Sequence, residues 1–215
     1  MKHVLSVLSC PRIYQLWQAP FSKMKLGPFF QHNRSNHYSR ILEVGCGPGT
    51  NVPHLRSLCD SYVGFDISEQ YIRYASKKYR NCEFFTGNAI SDSSYLQAGS
   101  PGVVLINSLM HHLSDEDVLL TLSIVSRLGS TGTRVHVVDL VLPPMNGFPR
   151  FLALNDRGRF PRSLDHWKSL LDVSFETEVF QAFSIHFGKV SLWELFYWVG
   201  HSRSAEHQEI SKPHD

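Results

Sequence analysis

Three glycines spaced two apart, Gly45, Gly47 and Gly49, interrupt the chain directly after the apolar run Ile41-Leu42-Glu43-Val44. A strand that turns into a helix while its backbone skirts a ligand favours residues without a Cβ. The N–H groups that open the helix then attract an anionic group. Asp66 ends the next β-rich run about twenty residues later, the spacing at which a carboxylate accepts hydrogen bonds from ribose hydroxyls. Ile67 follows it and is placed to pack on a nucleobase. A plain turn would also carry glycines; the acid downstream makes these residues, with Cys46 among them, a site for a nucleoside bearing an anionic group.

A second group of residues suits proton transfer and substrate binding. His111 and His112 follow the apolar run Val103 to Asn107, at the edge where open α/β sheets bind ligands. An imidazole with an ordinary pKa near ~6.5 suits a proton acceptor at neutral pH, so either histidine is a candidate general base. Either can equally serve to orient its loop. Asp139, near the end of a later strand, can hold a substrate or a histidine, or cap backbone. Between Asn155 and Arg162 lie Arg157 and Arg159, which suit a carboxylate or phosphate on an acceptor, or else surface ion pairs beside a helix cap at Ser163. The twelve histidines form no HxH or HExxH arrangement, and no metal is expected.

The elements that must position these groups alternate between strand and helix signals. Pro11 opens a short helix through Gln18; Gly27-Pro28 marks a turn, and residues 31–38 are polar, a loop or a loose helix end. Strands are expected at Arg40–Val44, Tyr62–Phe65, Glu83–Thr86, Val103–Asn107 and Arg134–Leu140. Between them fall a helix from Asn51 to Leu58, a helix capped by Ser68, and a helix capped by Ser114 and stopped at Gly129. An arginine-rich loop leads to a helix near Asp165–Leu171, and two long β-like runs, Phe175–Phe187 and Val190–Val199, flank Gly188-Lys189 as a hairpin. The expected fold is α/β: a doubly wound, mostly parallel seven-stranded sheet with a C-terminal antiparallel hairpin and helices on both faces. Residues 1–38 form an N-terminal helical segment, 39–202 the main domain, and 203–215 a polar, disordered tail.

Bulk properties narrow the partners. A net charge of +2 with neutral histidines gives no broad field to recruit nucleic acid or anionic lipid, so neither is expected. The four cysteines include no CxxC pair and read as free thiols in a reducing cytoplasm. No apolar run approaches the ~20 residues of a membrane span, and Val4–Leu8 is too short for a signal peptide, so the expected location is cytoplasmic.

The segment Glu43-Val44-Gly45-Cys46-Gly47-Pro48-Gly49 resembles motif I of class I, Rossmann-like S-adenosylmethionine-dependent methyltransferases. Gly64-Phe65-Asp66-Ile67-Ser68 resembles their second motif, residues 105–113 their motif IV, and Val137 to Pro143 their fifth strand. The resemblance covers about residues 38 to 200 and implies S-adenosylmethionine as cofactor and a small-molecule acceptor with an O, N or C nucleophile. It places Glu43 near the methionine end, Gly45 and Gly47 beneath it, Asp66 on the ribose, Asn88 with Ala89 at the adenine, and Asn107 on the methionine side. Many relatives have Asp where Asn88 stands, and an amide both donates and accepts. In such enzymes an N-terminal helix, here bearing Tyr14 and Gln18, often covers the pocket, and substrate elements often lie where Arg157 and Arg159 stand. A nicotinamide-dependent oxidoreductase would want Gly or Ala at Thr50, and its Tyr-x-x-x-Lys pattern, Tyr74 to Lys78, falls on the wrong helix. A fold that binds the cofactor without catalysis is the third reading.

Overall fold

The computed structural model describes residues 10–34, 36–91, 101–128 and 133–202. The expected stop at Gly129 and the expected tail from 203 lie outside them. Helices α1 (Pro11–Lys25) and α2 (Gly27–His32) precede strand β1 (Tyr38–Val44). After the glycine turn come α3 (Val52–Leu55), a 3₁₀ turn at Arg56–Leu58, β2 (Cys59–Asp66), α4 (Glu69–Lys78) and β3 (Glu83–Thr86). Next are β4 (Val103–Asn107), a 3₁₀ turn at Met110–His112, α5 (Asp115–Ser126) and β5 (Arg134–Leu140). The chain closes with α6 (Phe148–Leu154), α7 (Leu164–Leu171), β6 (Phe175–Phe187) and β7 (Val190–Ser202).

The seven strands form one sheet in the order β3-β2-β1-β4-β5-β7-β6. β1 to β5 run parallel, and β7 runs antiparallel to both β5 and β6. This is the fold that the strand pattern predicts. β1 has β2 on one side and β4 on the other, so the connections leave it in opposite directions and open a crevice at its carboxyl end.

Alternation along the strands builds a core on each face. Leu42, Val44, Val104 and Ile106 pack with Val118, Leu122 and Val125 of α5 and Trp167 and Leu171 of α7. Ile41, Val103 and Leu105 face Leu26, Phe29 of α2, and Val52 and Leu55 of α3. The cap residues act as their types predict. Ser68 Oγ accepts from Tyr71 N, Ser114 Oγ from Asp117 N and Ser163 Oγ from His166 N.

Three segments differ from expectation. α1 runs on to Lys25 through Pro20, and Gly27-Pro28 opens α2 rather than a turn. A proline in a first helical turn removes only an N–H that lacks an intrahelical partner, so Gly-Pro serves either purpose. The expected helix from Asn51 to Leu58 is a single α turn, with Pro53 in its first turn, followed by 3₁₀, since β2 starts early, at Cys59. The arginine-rich loop contains α6, whose exposed Phe148, Phe151 and Leu154 leave only Ala153 buried and give no amphipathic pattern to read.

Arg162 joins these parts. It is almost fully buried, its Nε donates to Asp115 Oδ1 at 2.7 Å, and its other nitrogens donate to the carbonyls of Met110, Leu113 and Phe160. The guanidinium lies over the Trp167 ring, 4.7 Å from its centre. Arg162→Leu is expected to lower unfolding free energy by about 3 kcal/mol, because buried carbonyls and Asp115 lose their donor. Arg162→Lys should recover less than half of that, lacking the planar fork. Urea denaturation of the three chains checks both.

Candidate active site

The glycine turn leaves β1 with positive φ at Gly45 (79°), Gly47 (56°) and Gly49 (75°), a region that side chains disfavour. Space is short as well. A Cβ on Gly45 would meet the Leu109 side chain at 3.0 Å, and one on Gly49 the Tyr79 ring at 2.9 Å. Asp66 holds the turn in place: its carboxylate accepts from Gly47 N and from Ser68 N, both at 2.8 Å. Burial raises the Asp66 carboxyl above its usual range, against the pull of those two amides.

Glu43 lies behind the turn, fully buried. Asn51 Nδ2 donates to it at 2.6 Å and the Tyr62 hydroxyl donates to its other oxygen. Burial pushes Glu43 up to about 7 despite these bonds. The carboxylate therefore braces the turn against β2 and α3.

Two cavities open at this edge. The smaller is lined by Gly45, Cys46, Thr50, Asn51 and Asn107, and the larger by His111, His112, Leu140, Asp156, Arg157, Trp193 and Leu195. Gln18, Lys25 and Ser108 line both. Lys25 Nζ donates to Gln18 Oε1 at 3.1 Å and to Ser108 Oγ at 3.2 Å. Desolvation lowers its pKa, opposed by the charges of Asp156 and Asp139. Ser108 is the one non-glycine residue among those described with positive φ, 54°, a local strain at the junction.

The histidine pair divides into two different environments. His111 is buried, with Nδ1 2.5 Å from Asp139 Oδ1 and Nε2 3.1 Å from Asp156 Oδ1. Asp139 is fully buried and also accepts from Met110 N and Leu140 N, each at 2.7 Å. Burial opposes charge on the ring, yet the two carboxylates raise His111 to about 9. Although burial also opposes their ionisation, His111 holds both Asp139 and Asp156 below the usual carboxylate range. His112 stacks on His111 with ring centres 4.2 Å apart and reaches the cavity rim. Loss of hydration on the cavity side and the adjacent His111 charge push it down to about 4.

Of the residues expected to bind ligand, Gly45, Cys46, Asn107 and Gln18 meet at the smaller cavity, and Gln18, His111, His112 and Arg157 at the larger. Asp139 stands behind His111. Arg157 also reaches the Tyr71 hydroxyl on α4, so its loop crosses toward the Asp66 side of the turn. Ile67 is exposed, and Asn88 folds back to accept from Ile90 N at 3.2 Å, with Ala89 packed on the core; none of the three lines either cavity. Arg159 is apart from the rest, in an open hollow with Glu116 and His166. Tyr14 lies on α1, its side chain outside the described residues. The anion expected at a helix N-terminus finds only the four-residue α3, too short to supply a strong dipole.

Sequence reasoning missed Lys25, Ser108, Thr50, Asp156 and the Trp193–Leu195 wall. Lys25 is one basic residue at a helix end, and no local pattern marks it. Asp156 carried a usable signal, an acid two residues before a glycine: its Oδ1 accepts from Gly158 N at 3.0 Å.

Comparison with known proteins agrees with this geometry. Residues 41–132 match a family described as a methyltransferase domain. An O-methyltransferase of Aspergillus nomiae is 29% identical over 121 residues, covering 53% of this chain and 52% of that protein. The chain thus spans about half the length of that curated relative. Human N-acetylserotonin methyltransferase, solved in complex with SAM, superposes with a TM-score of 0.68 at 16% identity, over 90% of this chain and 55% of that one. N-methyltransferase NodS of Bradyrhizobium japonicum, in complex with S-adenosylhomocysteine, superposes with a TM-score of 0.66 at 10% identity, over 85% and 87% of the two chains.

The charge on His111 has a measurable consequence. A histidine raised from 6.5 to about 9 stabilises the fold fully below pH 6.5, and the contribution is lost as pH rises through about 9. The loss amounts to about 3 kcal/mol at ~1.4 kcal/mol per pKa unit. In EDTA-containing buffer the thermal midpoint should fall over that window, and His111→Gln should flatten the fall. Parallel pH profiles for the two chains would mean that no imidazolium is held there.

Proposed function

We propose that this chain, whose domain is that of a class I, Rossmann-like methyltransferase, transfers a methyl group from S-adenosylmethionine to a small-molecule acceptor. The observation that carries the reading is the meeting of two cavities across Gln18, Lys25 and Ser108. Methyl transfer is an in-line displacement, so donor and acceptor need adjoining compartments with one short gap between them. The cofactor supplies a methyl carbon activated by a positive sulfur. Its proposed site comprises Glu43, Gly45, Cys46, Gly47, Gly49, Asp66, Ile67, Asn88, Ala89 and Asn107.

The residues present fit that cofactor. Thr50 Oγ1 is buried and without a hydrogen-bond partner in the wall of the smaller cavity, beside the glycine turn. A buried hydroxyl left unpaired is costly, and a polar ligand group, such as the amino-acid end of the cofactor, would satisfy it.

The acceptor compartment is lined by apolar Leu140, Trp193 and Leu195 and by the cationic Arg157. It suits an acceptor with a flat apolar body and a polar or anionic substituent. The name of the Aspergillus relative favours oxygen as the nucleophile over nitrogen or carbon. His111 has both ring nitrogens engaged and carries a proton already, so it orients the loop instead of taking the acceptor's proton. His112 is too weak a base at about 4 to be effective near neutrality. Lys25 stands between the compartments, where desolvation favours its neutral form against the pull of Asp156 and Asp139, and we assign it the proton-accepting role.

A small net charge of +2 supports a small acceptor over nucleic acid, and four free thiols support a cytoplasmic location. Among the described residues no helix is long and apolar enough to cross a membrane.

Calorimetric titration with S-adenosylmethionine and S-adenosylhomocysteine tests the cofactor, with NADH as control. Both sulfur nucleosides should bind, and Asp66→Ala should weaken them about 10- to 100-fold through lost charge-assisted bonds. Binding of NADH in their place would sink the proposal. Once an acceptor is found by transfer of labelled methyl, Lys25→Met should lower kcat about 10²- to 10⁴-fold, the usual contribution of a general base. A kcat left unchanged would remove Lys25 from that role.

A further inference from the structure

His111, His112 and Asp156 bring one imidazole nitrogen each and one carboxylate oxygen within 4.8 Å of one another, at the wall of the larger cavity. The arrangement is built from separate parts of the chain. The 3₁₀ turn after β4 supplies both imidazoles, and the loop after α6 supplies the carboxylate. The loop is held tightly against the ring: a Cβ on Gly158 would lie 2.1 Å from His111 Cδ2, and Phe160 N donates to His111 O at 3.1 Å. Asp156 therefore reaches His111 because a glycine two residues on lets the backbone pass.

We propose that His111 Nε2, a ring nitrogen of His112 and the Asp156 carboxylate bind one divalent transition-metal ion, with Asp139 as the positioning residue for His111. Each part of the geometry bears on this. Asp139 accepts from Nδ1 of His111 at 2.5 Å and is itself fixed by the amides of Met110 and Leu140. Such a carboxylate–histidine pairing fixes the ring so that Nε2 points toward Asp156, where a metal would displace the shared proton, and makes that nitrogen a better donor. The gap between His111 Nε2 and Asp156 Oδ1 is 3.1 Å, about the edge between two neighbouring ligands on an ion with bonds near ~2.1 Å. A metal there takes the place of the proton shared between them. Asp139 and Asp156 together carry two negative charges, which match a dication.

Two imidazoles and one carboxylate suit Zn²⁺, Co²⁺, Fe²⁺ or Mn²⁺ over Mg²⁺ and Ca²⁺, which favour all-oxygen cages. Three protein ligands leave coordination positions free, and the cavity is where they open. In the proposed reaction, the ion would bind an acceptor oxygen and ease loss of its proton to Lys25. The oxygen would then form its bond to the methyl carbon while the carbon–sulfur bond breaks, leaving its electron pair on sulfur. That catalytic role rests on the methyltransferase reading; binding of the ion does not.

The test uses the full chain, stripped with EDTA, desalted and titrated with Co²⁺ or Mn²⁺ by calorimetry, with Co²⁺ absorption as a second readout. The variants are His112→Phe, which keeps an aromatic ring on His111, and Asp156→Asn, which keeps the shape of the side chain. One ion per chain is expected, bound at least about tenfold more weakly in each variant, and Asp139→Asn should weaken it by about 10- to 100-fold. Absence of binding at roughly millimolar metal, unchanged affinity in either variant, or a Co²⁺ thiolate charge-transfer band from the cysteines would each overturn the site. S-adenosylhomocysteine titrated into the same variants separates the two proposals, because a lost metal with retained nucleoside affinity leaves the cofactor site standing.

Discussion

The site depends on one buried charge. Asp139 sits at the carboxyl end of β5 with no exposed surface, and a carboxylate there is tolerable only with full compensation. Three donors converge on it, the amides of Met110 and Leu140 and the His111 ring. Compensation fixes more than the acid. It sets the 3₁₀ turn after β4, directs His111 Nε2 at Asp156, and so draws the loop after α6 onto the sheet edge. Arg162 closes the same circuit from the other side by donating to the carbonyls of Met110 and Leu113 at the two ends of the turn. The larger cavity is thus a by-product of pairing one acid at the end of a strand.

The opposite half of the edge is organised by backbone geometry. The glycine turn has its conformation set by positive φ and by the Asp66 carboxylate, while Glu43 ties it to Asn51 and Tyr62 from beneath. These two systems, one ionic and one conformational, are bridged by α1. Lys25 at the end of that helix bonds Ser108 just beyond β4 and so spans the seam between them. The helix therefore contributes the Gln18 and Lys25 side chains to the walls of both cavities.

The legible parts of this design were those encoded locally. The glycine spacing, the apolar runs of β1 and β4 and the serine caps each express a constraint within a few residues, and the parallel sheet follows from the strand–helix alternation. The Asn88 assignment came from family likeness and that of Ile67 from its place after Asp66, and here both residues lie outside the walls of the two cavities. What escaped reading was set by tertiary placement. Nothing near Arg162 announces that it will be buried against three carbonyls, and Lys25 becomes desolvated only once α2 turns the chain back across the sheet edge. α6 escaped because its apolar residues are mostly exposed, so no periodic stripe marks it.

Chemistry in this edge follows from a division between its two histidines. A neutral imidazole and a charged one cannot share a stack without influencing each other: the carboxylates that keep His111 protonated leave His112 beside a positive charge and suppress its protonation. Neighbouring residues of the same type thus hold opposite charge states at neutral pH. The pair is poor as an acid–base couple for an acceptor, since one member has no free nitrogen and the other little basicity. The same division leaves it well prepared as a donor set, with a carboxylate-oriented ring, an unprotonated ring and an ionised acid around one point. In the proposed reaction the proton-accepting step then falls to Lys25, whose position between the two cavities is set by the length of α1.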